Sequence, residues 1–301
     1  MTSPTWMRSG PMLEGEWVRL SDPKGRKHNV QLEVGKAFST KKGQIQHDDM
    51  IGHPEGIIIH SSLGGPYQVF RPLLSEYVVS MPRGAAIIYP KDAAQIVAMA
   101  DIFPGARVVE AGAGSGSLTA YLLRAIGTEG HLGSYEIRED FADIARRNVE
   151  QVVGGEHPAW TLTVGDVRET ITETEIDRLV LDMVDPWTCV PLAAERLVPG
   201  GIICAYVATT TQLSRFVETL RAEGGFTEPA AWETLLRTWH LEGLAVRPDH
   251  SMIGHTAFLA TARRMAPGQR SLGTSRRPAP GAYGPDYLGP RPIDLEPGTE
   301  T

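Results

Sequence analysis

The stretch 108–119 reads Val-Val-Glu-Ala-Gly-Ala-Gly-Ser-Gly-Ser-Leu-Thr, with glycines at 112, 114 and 116 just after the acidic Glu110. A glycine-rich turn that opens a helix lets backbone approach a ligand closely, beside the N–H groups of the helix N-terminus. The spacing is G-x-G-x-G. The dinucleotide fingerprint would need a third glycine where Ser117 stands, and a phosphate loop would need Gly-Lys-Ser/Thr. Glu110 would repel a pyrophosphate, so the pattern favours a cationic or zwitterionic ligand. Glu136 ends a run about 20 residues past the last glycine, where an open α/β sheet places an acid for two ribose hydroxyls. Asp166 ends the next run and suits the exocyclic amino group of an adenine. An adenosine whose tail carries no phosphate is S-adenosylmethionine. Asp182, after the apolar run 179–181, then points into the space beyond the strand ends, where such sheets bind their ligands.

Strands that end together must position these residues. From about residue 90 the chain alternates helical spacing, over 91–103, 118–126 and 138–152, with short strand-like runs at 107–110, 131–136, 160–164, 178–181 and 202–207. That alternation predicts an α/β, Rossmann-like domain with a mainly parallel, doubly wound sheet covered on both faces. Upstream, β-rich runs at 17–20, 30–34, 56–60 and 67–70 are separated by turn signals such as Asp22-Pro23-Lys24-Gly25 and Gly64-Gly65-Pro66. They predict a small N-terminal β domain. The expected division is 1–75 for this domain, 76–265 for the S-adenosylmethionine-binding α/β domain, and a disordered Pro/Gly-rich tail over 266–301.

The composition, 42% hydrophobic and 22% charged over 301 residues, is that of a globular chain with a real core. No apolar run approaches the roughly 20 residues of a membrane helix. The start, Met1-Thr2-Ser3-Pro4, has no apolar segment behind a basic one, so a cytoplasmic protein is expected. Cys189 and Cys204 read as packed thiols of a reducing compartment. The net charge of −7 speaks against wholesale nucleic-acid binding. Residues 1–75, however, carry 9 Lys and Arg against 7 acids, and Lys24, Arg26, Lys27, Lys36, Lys41 and Lys42 could form a local basic patch. His250 and His255 precede a strand-like run, which points to a structural or RNA-contact role and to no metal.

Taken together, several segments resemble a known family, the bacterial and archaeal tRNA (adenine(58)-N(1))-methyltransferases, and within it the actinobacterial branch. They are Met81-Pro82-Arg83-Gly84, Ile88-Tyr89-Pro90-Lys91-Asp92, the loop 110–119, and 181–187. Tyr206-Val207-Ala208-Thr209 with Thr211-Gln212-Leu213, and Arg247-Pro248-Asp249-His250 through Gly254-His255-Thr256, complete the set. The Tyr-Pro-Lys-Asp segment joined to the glycine loop is more specific than either alone.

The resemblance implies that Gly112, Gly114, Ser115, Gly116, Ser117 and Leu118 line S-adenosylmethionine, with Glu136 on its ribose and Asp166 by its adenine. It implies that Asp182 is the catalytic aspartate, reaching both methyl donor and base, and that Tyr89 and Tyr206 hold a flipped adenine. It further implies a homotetramer acting on tRNA, with N1 of adenosine 58 in the T-loop as the target and no DNA or membrane partner. Two alternatives stay open. One is a methyltransferase of the same fold acting on another RNA or a small molecule. For an amino-group methylase, Asp185-Pro186-Trp187 lacks one proline of the usual tetrad. The other is a non-catalytic tRNA-binding subunit.

Overall fold

The computed structural model describes residues 10–272 and residue 282. Most of the expected tail therefore lies outside the described residues. The chain divides into two compact units, one of residues up to 83 with Arg146–His157, the other of Gly84–Ala145 with residues from 158 onward.

In the first unit, β1 (Trp17–Ser21), β2 (Lys27–Gln31), β3 (Ala37–Thr40), β4 (Gly43–Gln46), β5 (Ile57–His60) and β6 (Pro66–Phe70) lead to a short helix α1 (Leu74–Tyr77). Four of the strands form an antiparallel sheet in the order β2-β1-β6-β5, and β3 pairs with β4 alone. Val18, Leu20, Val30, Ile59, Tyr67 and Val69 alternate inward and pack with Met12, Leu32, Ile45 and Met50. The second strand lies at Lys27–Gln31 rather than at 30–34. The cause is the Asp22 carboxylate, which accepts from the backbone N–H of Lys24 and Arg26 at 2.9 Å each and closes the turn early. The β3–β4 hairpin has little sequence signal, because polar residues outnumber the apolar Phe38 and Ile45 that seat it. The anticipated basic patch is half neutralised. Arg26 pairs with Asp22 at 2.5 Å, Lys27 with Glu76 at 3.4 Å and Lys36 with Glu33 at 2.6 Å.

The second unit alternates helix and strand: α2 (Pro90–Met99), β7 (Arg107–Ala111), α3 (Ser117–Ile126), β8 (His131–Glu136), α4 (Glu139–Val153), β9 (Trp160–Val164), α5 (Val167–Thr170), β10 (Ile176–Leu181), α6 (Val190–Arg196), β11 (Leu197–Val207) and α7 (Thr210–Glu223). Helix α4 runs on into the segment that belongs to the first unit. Four further strands follow: β12 (Ala230–Trp232), β13 (Trp239–Glu242), β14 (Ala245–Pro248) and β15 (Phe258–Arg263). Seven strands form one sheet in the order β12-β15-β11-β10-β7-β8-β9, with β13 and β14 paired as a separate hairpin. The five strands from β11 to β9 are parallel, while β15 and β12 are antiparallel additions at one edge. This is the doubly wound α/β fold that the alternation predicts.

The core explains why these runs are strands. Val108, Val109, Leu179, Val180, Leu181, Ile203, Cys204 and Ala205 are all 0–1% exposed, as central strands covered on both faces must be. Burial pushes the Cys189 and Cys204 thiols up to about 11 and about 12, which keeps both protonated and inert. Among the described residues no helix is long and apolar enough to cross a membrane.

Candidate active site

The chain runs from β7 through β8 to β9 on one side of the sheet, and β10, β11 and β15 lie on the other. Between β7 and β10 the strand order reverses, which opens a crevice at the carboxyl ends of the two strands. Leu181 is in register with Ala111 on β7 and with Ala205 on β11. The next residues, Gly112, Asp182 and Tyr206, therefore emerge side by side. Strand β8 ends one place further out at Glu136.

The glycine loop is held tightly to this edge. Gly112 and Ala113 donate to the Tyr135 carbonyl at 2.9 and 3.1 Å, and Asp182 N–H donates to the Ala111 carbonyl at 2.8 Å. Gly112 has φ +91°, and a Cβ there would lie 1.9 Å from the Asp182 carbonyl oxygen. Only glycine fits. Gly116, at φ +81°, caps α3, whose first-turn N–H groups have no partner within the helix. The Ser115 and Ser117 hydroxyls are turned away from the crevice. Ser115 Oγ accepts from Gly84 and Ala85 N–H at 3.2 and 3.3 Å, and Ser117 Oγ donates to the Ile88 carbonyl at 2.9 Å. Both serines thus tie the loop to the segment before Tyr89, leaving their backbone to face a ligand. Leu118 is buried at 4% exposure in the first turn of α3.

Three carboxylates face the loop. Glu136 accepts from Gly114 N–H at 2.8 Å through one oxygen and from Arg138 N–H at 3.0 Å through the other. Each oxygen keeps a lone pair. Glu110 is fully buried, and its Oε2 accepts from Thr119 and Ser134 at 2.7 Å each. Its Oε1 is buried with no partner among the described residues. Asp182 is half-buried. Burial pushes both Glu110 and Asp182 up to about 7, aided by the charge of Glu136 on each and of Glu110 on Asp182. Unfolded carboxyls titrate near about 4. Between about 4 and 7 these two groups hold protons that the unfolded chain has released, so their contribution to stability falls as pH rises through that window.

Asp166 caps α5, accepting from Arg168 N–H at 2.9 Å and again from its guanidinium, which holds the carboxyl below the usual range. The same guanidinium reaches Thr188 Oγ1 at 3.0 Å and Asp185 at 3.6 Å. Arg168, which no sequence motif singles out, thus links the β9 end to the loop after β10. Its only sequence signal is a position two residues past Asp166.

Tyr89 stands at the N-cap of α2, ahead of Pro90, and is half-buried. Tyr206 is half-buried at the end of β11, and burial pushes its phenol up to about 12; the charges of Asp92 and Asp182 and the phenol of Tyr89 act on it. Asp182 and Tyr206 are thus neighbours by register and Tyr89 lies within electrostatic reach of Tyr206, while Glu110 and Glu136 act on Asp182 in turn. His250 and His255 do not converge. His255 faces Glu233 at 2.8 Å and the Ala208 carbonyl at 3.0 Å, while His250 faces Arg247 at 3.2 Å.

The family described as the tRNA methyltransferase complex GCD14 subunit matches residues 69–251, and the TrmI-like N-terminal family matches residues 10–59. The chain is 36% identical over 256 residues to the tRNA (adenine(58)-N(1))-methyltransferase TrmI of Thermus thermophilus, covering 85% of this chain and 97% of that protein. The chain belongs to this tRNA methyltransferase family. A second relative is the tRNA (adenine(57)-N(1)/adenine(58)-N(1))-methyltransferase TrmI of Methanocaldococcus jannaschii, 32% identical over 81% of this chain and 93% of that one. Among solved structures, a SAM-dependent O-methyltransferase of Thermotoga maritima superposes with a TM-score of 0.81 at 31% identity, over 87% of this chain and 97% of that one. TrmI of Aquifex aeolicus superposes with a TM-score of 0.74 at 27% identity, over 85% and 99%. The family's match spans Tyr89, the glycine loop, Glu136, Asp166, Asp182 and Tyr206.

Proposed function

We propose that this chain transfers a methyl group from S-adenosylmethionine to N1 of adenosine 58 in the T-loop of tRNA. The observation that carries the reading is the register that sets Gly112, Asp182 and Tyr206 side by side at the strand-order reversal. S-adenosylmethionine, when bound, supplies an electrophilic methyl group on a sulfonium centre. The residues suit it. The missing Cβ of Gly112 lets the glycine loop pack against the Asp182 carbonyl at the strand ends, and the remaining lone pairs of Glu136 suit ribose hydroxyls. Asp166 suits the adenine, and the unpartnered Oε1 of Glu110 lies in an acidic environment that favours a cation. The backbone of Gly114, Ser115, Gly116, Ser117 and Leu118 completes the cradle.

Adenine N1 carries its own lone pair, so the attack needs no general base. The methylated base is a cation. Asp182, accepting from the exocyclic amino group, stabilises that charge as it develops, and orientation supplies much of the remaining acceleration. A paired adenine must leave its stack to expose N1, at a few kcal/mol, and Tyr89 and Tyr206 offer the aromatic faces that receive it.

A cationic ligand needs Glu110 and Asp182 ionised. S-adenosylmethionine is therefore expected to bind more tightly at about pH 8 than at about pH 6, while the ligand-free protein loses stability over the same rise. Titration calorimetry at both pH values checks this; equal affinities would remove the two carboxylates from the ligand's surroundings.

Self-association fits the hairpin β13–β14 and its flanks. Trp239, Leu241, Leu244 and Val246 are 56–103% exposed, and Leu235, Leu236, Met252 and Ile253 add 41–55%. So large an apolar surface is rare on a monomer. We take the protein as a cytoplasmic homotetramer, with residues 1–75 serving RNA contact or assembly; a monomeric mass by light scattering would end the tetramer reading.

Labelled methyl transfer to unmodified tRNA, followed by nuclease digestion, tests the function. N1-methyladenosine at position 58 is expected. Methyl-donor binding without transfer would move the substrate to another RNA or a small molecule.

A further inference from the structure

With a net charge of −7, this chain must hold the phosphates of a tRNA with those cations that its own acids leave free. Around the crevice several cations are already taken. Lys91, at the start of α2, is buried and pairs with Asp92 at 2.7 Å between Nζ and Oδ1. Its other two protons go to the Thr234 carbonyl at 2.6 Å and to Thr256 Oγ1 at 2.7 Å, and Thr256 Oγ1 lies 2.7 Å from Asp92 Oδ2. Arg168 is taken up by Asp166, Thr188 and Asp185. Arg215, on α7, has no such commitment.

Helix α7 starts at Thr210, just past Tyr206. Gln212 and Arg215 stand three positions apart on it and so share a face. That face lies on the loop that Asp182 opens. Gln212 Nε2 donates to the Val184 carbonyl at 2.9 Å, and the Arg215 guanidinium carbon sits over the Trp187 ring, 4.3 Å from its centroid. Trp187 is half-buried and packs against the core of the large sheet, which makes its ring a fixed platform. Arg215 and Val184 are exposed. An indole attracts the cation through its ring charge distribution but offers no oxygen to the guanidinium N–H groups. Among the described residues, no oxygen accepts from those groups and no acid pairs with them. Glu218, three positions further along α7, pairs with Arg221 at 2.5 Å, and Asp185 faces Arg168 at 3.6 Å.

We propose that Arg215, held on Trp187, binds a backbone phosphate of the tRNA strand that brings its adenosine to Asp182 and Tyr206. This rests on the reading of tRNA as the substrate. A planar guanidinium can give two parallel N–H bonds to the oxygens of one phosphate, a charge-assisted pairing about twice as strong as a neutral one. Because the ring already restricts the side chain, less freedom is lost when the phosphate arrives. A phosphate contact sets the register of the strand and carries no sequence information. Choice of the base is therefore left to the residues at the strand ends, while Arg215 supplies affinity at the rim.

The test uses the full-length protein and an unmodified tRNA transcript, with binding and KM measured from about 50 to 200 mM salt. Each phosphate neutralised adds about 0.7–0.9 to the slope of log affinity against log salt. Arg215→Gln is expected to reduce the slope by that amount and to raise KM for tRNA about tenfold at the lowest salt. Affinity for S-adenosylmethionine, measured by calorimetry, should hold. Arg215→Lys keeps the charge but not the planar fork, so it should keep the slope and regain only part of the affinity. Arg107→Gln removes one charge from an exposed position at the other end of β7 from the crevice, and should leave the slope as it is. An unchanged slope in Arg215→Gln, or an equal fall in Arg107→Gln, would overturn the inference and leave the Arg215–Trp187 contact a matter of packing. Arg215 is exposed, so its replacement leaves the core intact. A wild-type protein that neither binds nor methylates the transcript would instead overturn the tRNA reading, and this inference with it.

Discussion

Replacing Asp182 with asparagine is expected to lower kcat about 10²–10³-fold while the protein stays folded. The backbone N–H of residue 182 holds the strand to the Ala111 carbonyl at 2.8 Å, and the substitution leaves that bond in place. What disappears is a negative charge at the strand end. An asparagine oxygen still accepts a hydrogen bond, but it carries no charge to balance a cationic product. The ligand-free protein should not weaken and should gain slightly at neutral pH. Burial and the neighbouring Glu110 and Glu136 already push the Asp182 carboxyl up to about 7, so ionising it there opposes folding. Asp182→Ala should likewise keep the fold and lose most transfer. Single-turnover methyl transfer and thermal melting, measured on the same preparations, separate the two effects. Wild-type turnover in either variant would remove Asp182 from the chemistry. A collapse in melting temperature would make its role structural.

The second large effect is expected at Gly112. An alanine there would place its Cβ 1.9 Å from the Asp182 carbonyl oxygen and 2.8 Å from the carbonyl carbon, at a backbone φ of +91°. Neither neighbour is a flexible side chain that could step aside. The strained dihedral and the overlap together cost about 2–6 kcal/mol, a large part of the stability of an ordinary domain. Gly114→Ala makes the control. Its φ is also positive, at +55°, but the nearest atom to a new Cβ is Ala85 Cβ at an ordinary 3.6 Å. Urea denaturation should give Gly112→Ala a midpoint well below that of Gly114→Ala. Equal midpoints would mean that the approach of loop to strand is not the constraint.

The parts of the molecule that are readable in the sequence are those where one local signal suffices. The central strands are legible because both of their faces are covered, so that Val108-Val109 and Leu179-Val180-Leu181 are unbroken apolar runs. Asp182 stands out as the acid that ends such a run, and Glu136 as the acid about 20 residues past the last glycine. Ser115 and Ser117 show the limit of motif reading: residue type places them at the ligand, but their hydroxyls bond residues 84–88. Nothing near Lys91 and Asp92 in the sequence shows that they are buried, because the groups that satisfy them, Thr234 and Thr256, lie more than 140 positions away. The hairpin β13–β14 has a period-two pattern, with Trp239 and Leu241 alternating with His240 and Glu242. That apolar face is exposed. The pattern presupposes a covering surface that the described residues do not provide.

The hydrogen bonds around the crevice also bear on the order in which its two sides assemble. On the methyl-donor side they join near neighbours along the chain: Gly114 to Glu136 spans 22 positions, and Thr119 to Glu110 spans 9. On the base side they join Asp92 to Thr256 across 164 positions and Lys91 to Thr234 across 143. Loop closure costs more entropy as the span grows, and contacts between distant residues form late. During synthesis those two short-range bonds can form once residue 136 has left the ribosome, although the Ala111 carbonyl still waits for the N–H of Asp182, whereas the network of Lys91 and Asp92 must wait for residue 256. A nascent chain arrested between residues 136 and 234 would hold those short-range bonds and lack the partners that Thr234 and Thr256 give to Lys91 and Asp92.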